Sequence, residues 1–204
     1  MIPLTLNEIA EAVDGKLIGD DATIDAISTD TRALKTQDVF LALRGAKFDG
    51  HKFVAQAEQV DCAAVIVDHD CQTNIAQIVV DDTHKALGKL GAYVKAKVAP
   101  KTVGITGSSG KTTVKEMVAA ILARLGNVLA TNGNFNNDIG VPLTLLRLEQ
   151  NHDFAVVEMG ANHMGEIAYT SGLVKPDVAI INNIAAALLE GFGDLCGVDR
   201  KSVV

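Results

Sequence analysis

Gly107-Ser108-Ser109-Gly110-Lys111-Thr112-Thr113 gathers glycines, hydroxyls and one ammonium into a single short run. Glycine tolerates backbone conformations that turn successive N–H groups into one concavity, and a helix beginning just after them adds a partial positive charge. Such a concavity suits a polyphosphate. Lys111 would reach the outer phosphates, and the Thr112 hydroxyl would ligate a magnesium ion bridging them. The strict phosphate-loop pattern asks for glycine at position 105, where this chain has Ile105 between Gly104 and Gly107.

A second chemical candidate is Glu158, which ends the apolar run Phe154-Ala155-Val156-Val157. Beside a phosphate loop, a carboxylate at the end of a buried strand would be a second magnesium anchor. The competing reading is a helix-capping or salt-bridged glutamate. His163, just beyond, is open between ligand, phosphate contact and surface residue. Ser28-Thr29-Asp30-Thr31-Arg32 brings hydroxyls, a carboxylate and a guanidinium together. By composition alone it is a capped surface turn.

These residues need elements to hold them. Thr102 to Thr106 is a β-branched run that leads into the loop, and Val114, Met117, Val118, Ile121, Leu122 and Leu125 then repeat at helical spacing. That spacing predicts a helix with one apolar face packed on a sheet. Val128 to Thr131, Phe154 to Met159 and Val178 to Ile181 are further strands, and a helix carrying Leu145, Leu146 and Leu148 starts at Val141-Pro142. Strands alternating with helices predict a parallel sheet with its functional loops at the strands' C-terminal ends. The phosphate loop, the Asn132 to Asp138 loop, Glu158 and Asn182 all lie at such ends.

Ahead of this lies a smaller alternation. Thr5-Leu6-Asn7-Glu8 is a capping box that opens a short helix closing at Gly15. Strand-like runs follow at Ala22 to Ile27, Asp38 to Leu43, Ala63 to Val67 and Ile75 to Val80, with a helix over Phe53, Val54, Ala57 and Val60 between them. A helix with Leu87, Leu90 and Val94 then runs to Pro100. The expected fold is α/β, a small N-terminal α/β domain over 1–81 followed by an incomplete parallel-sheet phosphate-loop domain over 82–204.

Composition narrows the function. The chain has 204 residues, a net charge of −7 and 48% hydrophobic residues. It has no apolar run near the roughly 18 residues of a membrane span, and no basic stretch ahead of an apolar core at its N-terminus. A cytoplasmic protein without a membrane span is expected. Cys62, Cys71 and Cys196 lack metal-type spacing and fit reduced thiols. With 4% aromatic residues and no basic stripe, a nucleic-acid surface is not expected.

The runs TGSSGKTT (106–113), GNFNNDIGVPLTLL (133–146), VEMGANHMGEI (157–167) and NNIAAALLEGFG (182–193) resemble the Mur ligases of peptidoglycan synthesis. The closest likeness is to the member that joins D-alanyl-D-alanine to UDP-MurNAc-tripeptide. The resemblance implies ATP and Mg2+ as cofactors, Lys111 and Glu158 as catalytic residues, and Thr112 and Glu158 as magnesium ligands. It implies nucleotide binding by Gly107 to Thr113 with Asn134 and Asn137. It gives Ser28, Thr29, Asp30, Arg32, Arg44 and Gly45 to the UDP end of the substrate. The reaction implied is phosphorylation of the tripeptide carboxylate to an acyl phosphate, which the dipeptide amine then attacks.

Two positions depart from the family pattern. Leu188 stands where the family has a histidine of the magnesium site, and Lys201 is displaced by one from a lysine that can be carbamylated. Mur ligases have three domains, so the expectation is a fragment ending inside the central one, folding at least in part but not ligating, from a monomeric parent enzyme. The alternatives are the ligase that adds the third amino acid and a non-catalytic nucleotide-binding module.

Overall fold

The computed structural model describes residues 1–45 and 48–184. Leu188, Cys196 and Lys201 therefore lie outside the described residues. The chain divides into two compact units, Met1–Leu90 and Gly91 onward.

The first unit opens with β1 (Leu4–Thr5) and α1 (Leu6–Ala12). The capping box is present: the Thr5 hydroxyl accepts the Glu8 N–H at 3.1 Å, and the Glu8 carboxylate accepts the Thr5 N–H at 2.9 Å. Then come β2 (Lys16–Ile18), β3 (Thr23–Ile24), β4 (Ile27–Ser28), β5 (Val39–Leu41) and the hairpin pair β6 (Arg44–Gly45) and β7 (Phe48–Asp49). They are followed by α2 (Val54–Gln59), β8 (Ala64–Val67), β9 (Ala76–Val79) and the start of α3 (Thr83–Val98), which continues past Leu90 into the second unit.

Five of these strands form one sheet in the order β2-β9-β8-β5-β4, parallel except where β2 meets β9. β5 and β8 are buried along their whole length, which is why both are unbroken apolar runs rather than alternating ones. Phe40, Val65 and Val67 meet Val54 and Ala57 of α2 in one core cluster. Burying each such large side chain contributes roughly 1.5–3 kcal/mol.

In the second unit β10 (Lys101–Thr106) leads into α4 (Lys111–Leu122), followed by β11 (Val128–Ala130), α5 (Gly140–Leu146), β12 (Phe154–Glu158), α6 (Glu166–Val174) and β13 (Val178–Ile181). The sheet order is β11-β12-β10-β13 and every pair is parallel. This is the α/β parallel-sheet architecture expected. Ile105 pairs with Glu158 in the β10–β12 register, so the phosphate loop and Glu158 leave the sheet side by side at one edge. Among the described residues no helix is long and apolar enough to cross a membrane.

One packing expectation is corrected. α4 lies against β10, β11 and β12, but Met117, Ile121 and Leu125 are exposed at 61%, 63% and 74%. Val114, Val118 and Leu122 are half-buried, and the one buried residue of the helix is Lys115. The apolar arc read from the sequence is wider than the stripe that the sheet covers.

Candidate functional site

The loop after β10 takes its shape from two glycines. Gly107 has φ +144° and Gly110 has φ +71°, in the region that side chains with a Cβ rarely adopt. Gly110 caps α4 in a left-handed conformation. The first bond of the helical ladder runs from the Val114 N–H to the Gly110 carbonyl at 3.1 Å. The amides of Lys111, Thr112 and Thr113 therefore precede the ladder at the positive end of the helix. The Lys111 ammonium donates to the Gly107 carbonyl at 2.8 Å and so bridges the loop.

The other side of the loop is held by the end of β13. The Asn183 carboxamide oxygen accepts the N–H groups of Ser108 at 3.1 Å and Ser109 at 2.9 Å. The Asn182 amide donates to the Ser109 carbonyl at 2.7 Å. Two of the amides expected to face a polyphosphate are thus engaged with Asn183, and the helix-start amides carry the donor set that remains.

Glu158 is 2% exposed, at the end of β12. One carboxylate oxygen accepts the Thr112 hydroxyl at 3.0 Å, and the other accepts the Asn136 side-chain amide at 2.8 Å. Its backbone N–H donates to the Thr131 hydroxyl at 2.9 Å. Among the described residues its side-chain partners, Thr112 and Asn136, are neutral donors, and no salt bridge to Glu158 is built there. The donor chemistry fits magnesium. Two oxygens bound cis in an octahedron at 2.0–2.1 Å stand about 2.9 Å apart, close to the 3.0 Å between Thr112 Oγ1 and Glu158 Oε2.

Asn137 lies in the turn ahead of α5, its side-chain oxygen accepting the Gly140 N–H at 2.8 Å, and Asn134 is exposed. Asn136 is the one that reaches Glu158, and its carbonyl accepts the Gly160 N–H at 2.7 Å. Asn136, Thr131 and Lys115 were not singled out in the sequence. The available signal was the asparagine-rich run as a whole, which does not say which amide turns inward. His163 is exposed in the loop between β12 and α6.

In the first unit, Thr29, Asp30 and Arg32 line a cavity of about 500 Å3 with Phe40, Phe48, Phe53 and Gln56. Phe48 and Phe53 stack with ring centroids 5.6 Å apart. Ser28 closes the turn, its hydroxyl accepting the Asp30 N–H at 3.1 Å. Asp30 accepts the Arg32 guanidinium at 2.6 Å, and this hydrogen bond holds its carboxyl down at about 2. Arg44 and Gly45 lie on the adjoining β6–β7 hairpin; Arg44 pairs with Asp68 at 3.2 Å and with Asp49 at 3.6 Å.

Among the described residues, His51, Asp68 and His69 are close enough to suggest a metal site. Their own bonds close it. His51 Nδ1 pairs with Asp49 at 2.7 Å, its Nε2 accepts the Asp68 N–H at 3.0 Å, and Arg44 compensates Asp68. A ring nitrogen that accepts an amide proton has no lone pair left for a cation.

Residues 23–124 match the family model described as "Mur ligase family, catalytic domain", and residues 105–199 match "Mur ligase middle domain". UDP-N-acetylmuramoyl-tripeptide--D-alanyl-D-alanine ligase of Escherichia coli K12 is 51% identical over 200 residues, covering 98% of this chain and 44% of its own. The crystal structure of MurF from Acinetobacter baumannii has a TM-score of 0.95 at 47% identity, covering 98% of this chain and 45% of that one. MurF from Thermotoga maritima in complex with ADP has a TM-score of 0.81 at 31% identity, covering 87% of this chain and 42% of that one. The chain thus spans less than half the length of these relatives. With half of its residues on the catalytic-domain model and its fold shared with these ligases, the chain belongs to the Mur ligase family.

Proposed function

We propose that this chain carries the nucleotide site and the UDP-substrate site of a ligase that joins D-alanyl-D-alanine to UDP-MurNAc-tripeptide at the expense of ATP. The observation that carries the nucleotide part is the approach of the Thr112 hydroxyl to the Glu158 carboxylate at 3.0 Å, beside Lys111 on the same helix start. Hydroxyl and carboxylate together would hold Mg2+, which when bound neutralises phosphate charge. Lys111 adds a positive charge for the outer phosphates, and the helix-start amides orient them. Asn136 keeps the second Glu158 oxygen occupied, so the carboxylate presents one edge to the site.

The chemistry asks for positioning and charge neutralisation rather than a protein nucleophile. The γ-phosphoryl group passes to the tripeptide carboxylate, and the dipeptide amine then displaces phosphate to form the amide. The cavity beside Arg32 supports the reading of the first unit as the holder of the UDP end, with a stacked aromatic pair and a guanidinium on its wall.

Titration of the chain with ADP, with and without Mg2+, and with UDP-MurNAc-tripeptide tests both parts. The expected result is Mg2+-dependent ADP binding weakened by E158Q, and UDP-MurNAc-tripeptide binding weakened by R32A. ADP binding indifferent to Mg2+ and to Glu158 would overturn the nucleotide assignment. UDP-MurNAc-tripeptide binding that is absent, or untouched by R32A, would overturn the substrate assignment.

A further inference from the structure

Lys115 is 1% exposed, the one buried residue of α4. A buried ammonium is costly unless its protons are engaged. Its Nζ donates to the Thr131 carbonyl at 2.7 Å and lies 2.8 Å from the carboxylate of Glu116, itself 67% exposed. Thr131 is 1% exposed and follows β11 directly; its N–H donates to the Val156 carbonyl at 3.0 Å. Thr131 thus offers its carbonyl to α4 and its hydroxyl to the Glu158 N–H of β12.

These bonds form a closed ring. Thr112 and Lys115 sit three residues apart, on one face of the same helix. Lys115 reaches Thr131, Thr131 reaches Glu158, and Glu158 returns to Thr112. The return step is the one bond that a magnesium ion between hydroxyl and carboxylate would replace. With it gone, the path through Lys115 and Thr131 still links the helix start to the strand end, beside the β10–β12 pairing and the Asn136 bond.

We propose, building on the nucleotide reading above, that Lys115 and Thr131 are positioning residues that hold Thr112 and Glu158 at magnesium-binding distance. An apolar side chain at 115 would leave the buried Thr131 carbonyl without its donor and free the strand end that carries Glu158.

The test is ADP titration of K115M, T131V and T131S, each with saturating Mg2+ and in EDTA, alongside thermal melts. Partners one step removed from a metal typically change its affinity by about 10–100-fold. K115M and T131V are expected to weaken ADP binding in Mg2+ by about tenfold and to leave binding in EDTA within about twofold; T131S, which keeps the hydroxyl, should restore the wild-type ratio. Should K115M melt below the assay temperature, the T131V and T131S pair decides. An unchanged Mg2+ ratio in a folded T131V, or equal losses with and without Mg2+, would overturn the proposal. A wild-type chain whose ADP binding ignores Mg2+ would instead overturn the reading beneath it.

Discussion

The Thr112 hydroxyl donates to the Glu158 carboxylate across 3.0 Å although 46 residues separate them in the chain. Parallel pairing of β10 with β12, with Ile105 opposite Glu158, brings the two strand ends together, and the glycine turn sets Thr112 over the carboxylate. E158Q keeps the shape and removes the charge. It should reduce Mg2+-dependent ADP affinity by at least about tenfold, the lower end for a perturbed metal shell, with binding in EDTA unchanged. Isothermal titration in the two buffers reads it directly.

Lys111 acts on phosphate charge whether or not a cation is present. A hydrogen bond to a charged group is worth roughly 1.5–3 kcal/mol, so K111A should weaken ADP binding by about 10- to 150-fold both with and without Mg2+. A loss confined to the Mg2+ condition would contradict this role and distinguish it from that of Glu158.

At Gly110 the backbone itself is the constraint. Its φ is +71°, and an added Cβ would come within 2.8 Å of the Asn182 amide nitrogen. The left-handed conformation costs a residue with a Cβ roughly 1–2 kcal/mol. G110A should lower the melting temperature by several degrees, about 2–4 °C per kcal/mol for a chain of this size, and weaken ADP binding. A G110A variant as stable and as tightly binding as the parent would show that the loop has another accessible shape.

The Asp30–Arg32 pair carries a pH signature. The Arg32 side chain is the largest cause of the depression of the Asp30 carboxyl to about 2. Because the folded value lies below the unfolded one, near 3.9, the contribution is present above about pH 4 and is lost as pH falls through about 2. Carbon-detected NMR titration should find Asp30 ionised at pH 3, and R32A should return its midpoint toward 3.9. The pair is exposed, so the effect belongs to local charge rather than to global stability.

Cys62 should behave as an inert thiol. Burial, and then the nearby carboxylates of Asp38 and Asp61, push it up to about 11. At pH 8 that leaves roughly a thousandth as thiolate, against roughly a quarter for a free cysteine. Iodoacetamide followed by peptide mass mapping should find Cys62 unmodified in the folded chain and alkylated in denaturant. Rapid native alkylation would show that the core around Phe40 and Val65 opens locally.

Short-range sterics and periodicity made much of the chain legible before any coordinates. The Thr5–Glu8 capping box, the strand–glycine turn–helix order around Lys111, the apolar runs of β5, β8 and β12 and the parallel alternation of the second half each depend on neighbours a few residues apart. The chemical types in the sequence determined that a phosphate loop and a strand-end carboxylate exist.

Which groups those residues meet was decided by tertiary structure, because it depends on strand register and on loop paths that have no period. Asn136 rather than Asn134 or Asn137 turns to Glu158, Asn183 takes the amides of Ser108 and Ser109, and Arg44 leaves the Arg32 cavity for Asp68. Lys115 is the sharpest case. Nothing in the helical repeat around it marks its role, and only the position of the strand end at Thr131 makes it the buried cation of the helix. The amino-acid order set the donors and acceptors of the site, and parallel pairing across distant segments decided their partners.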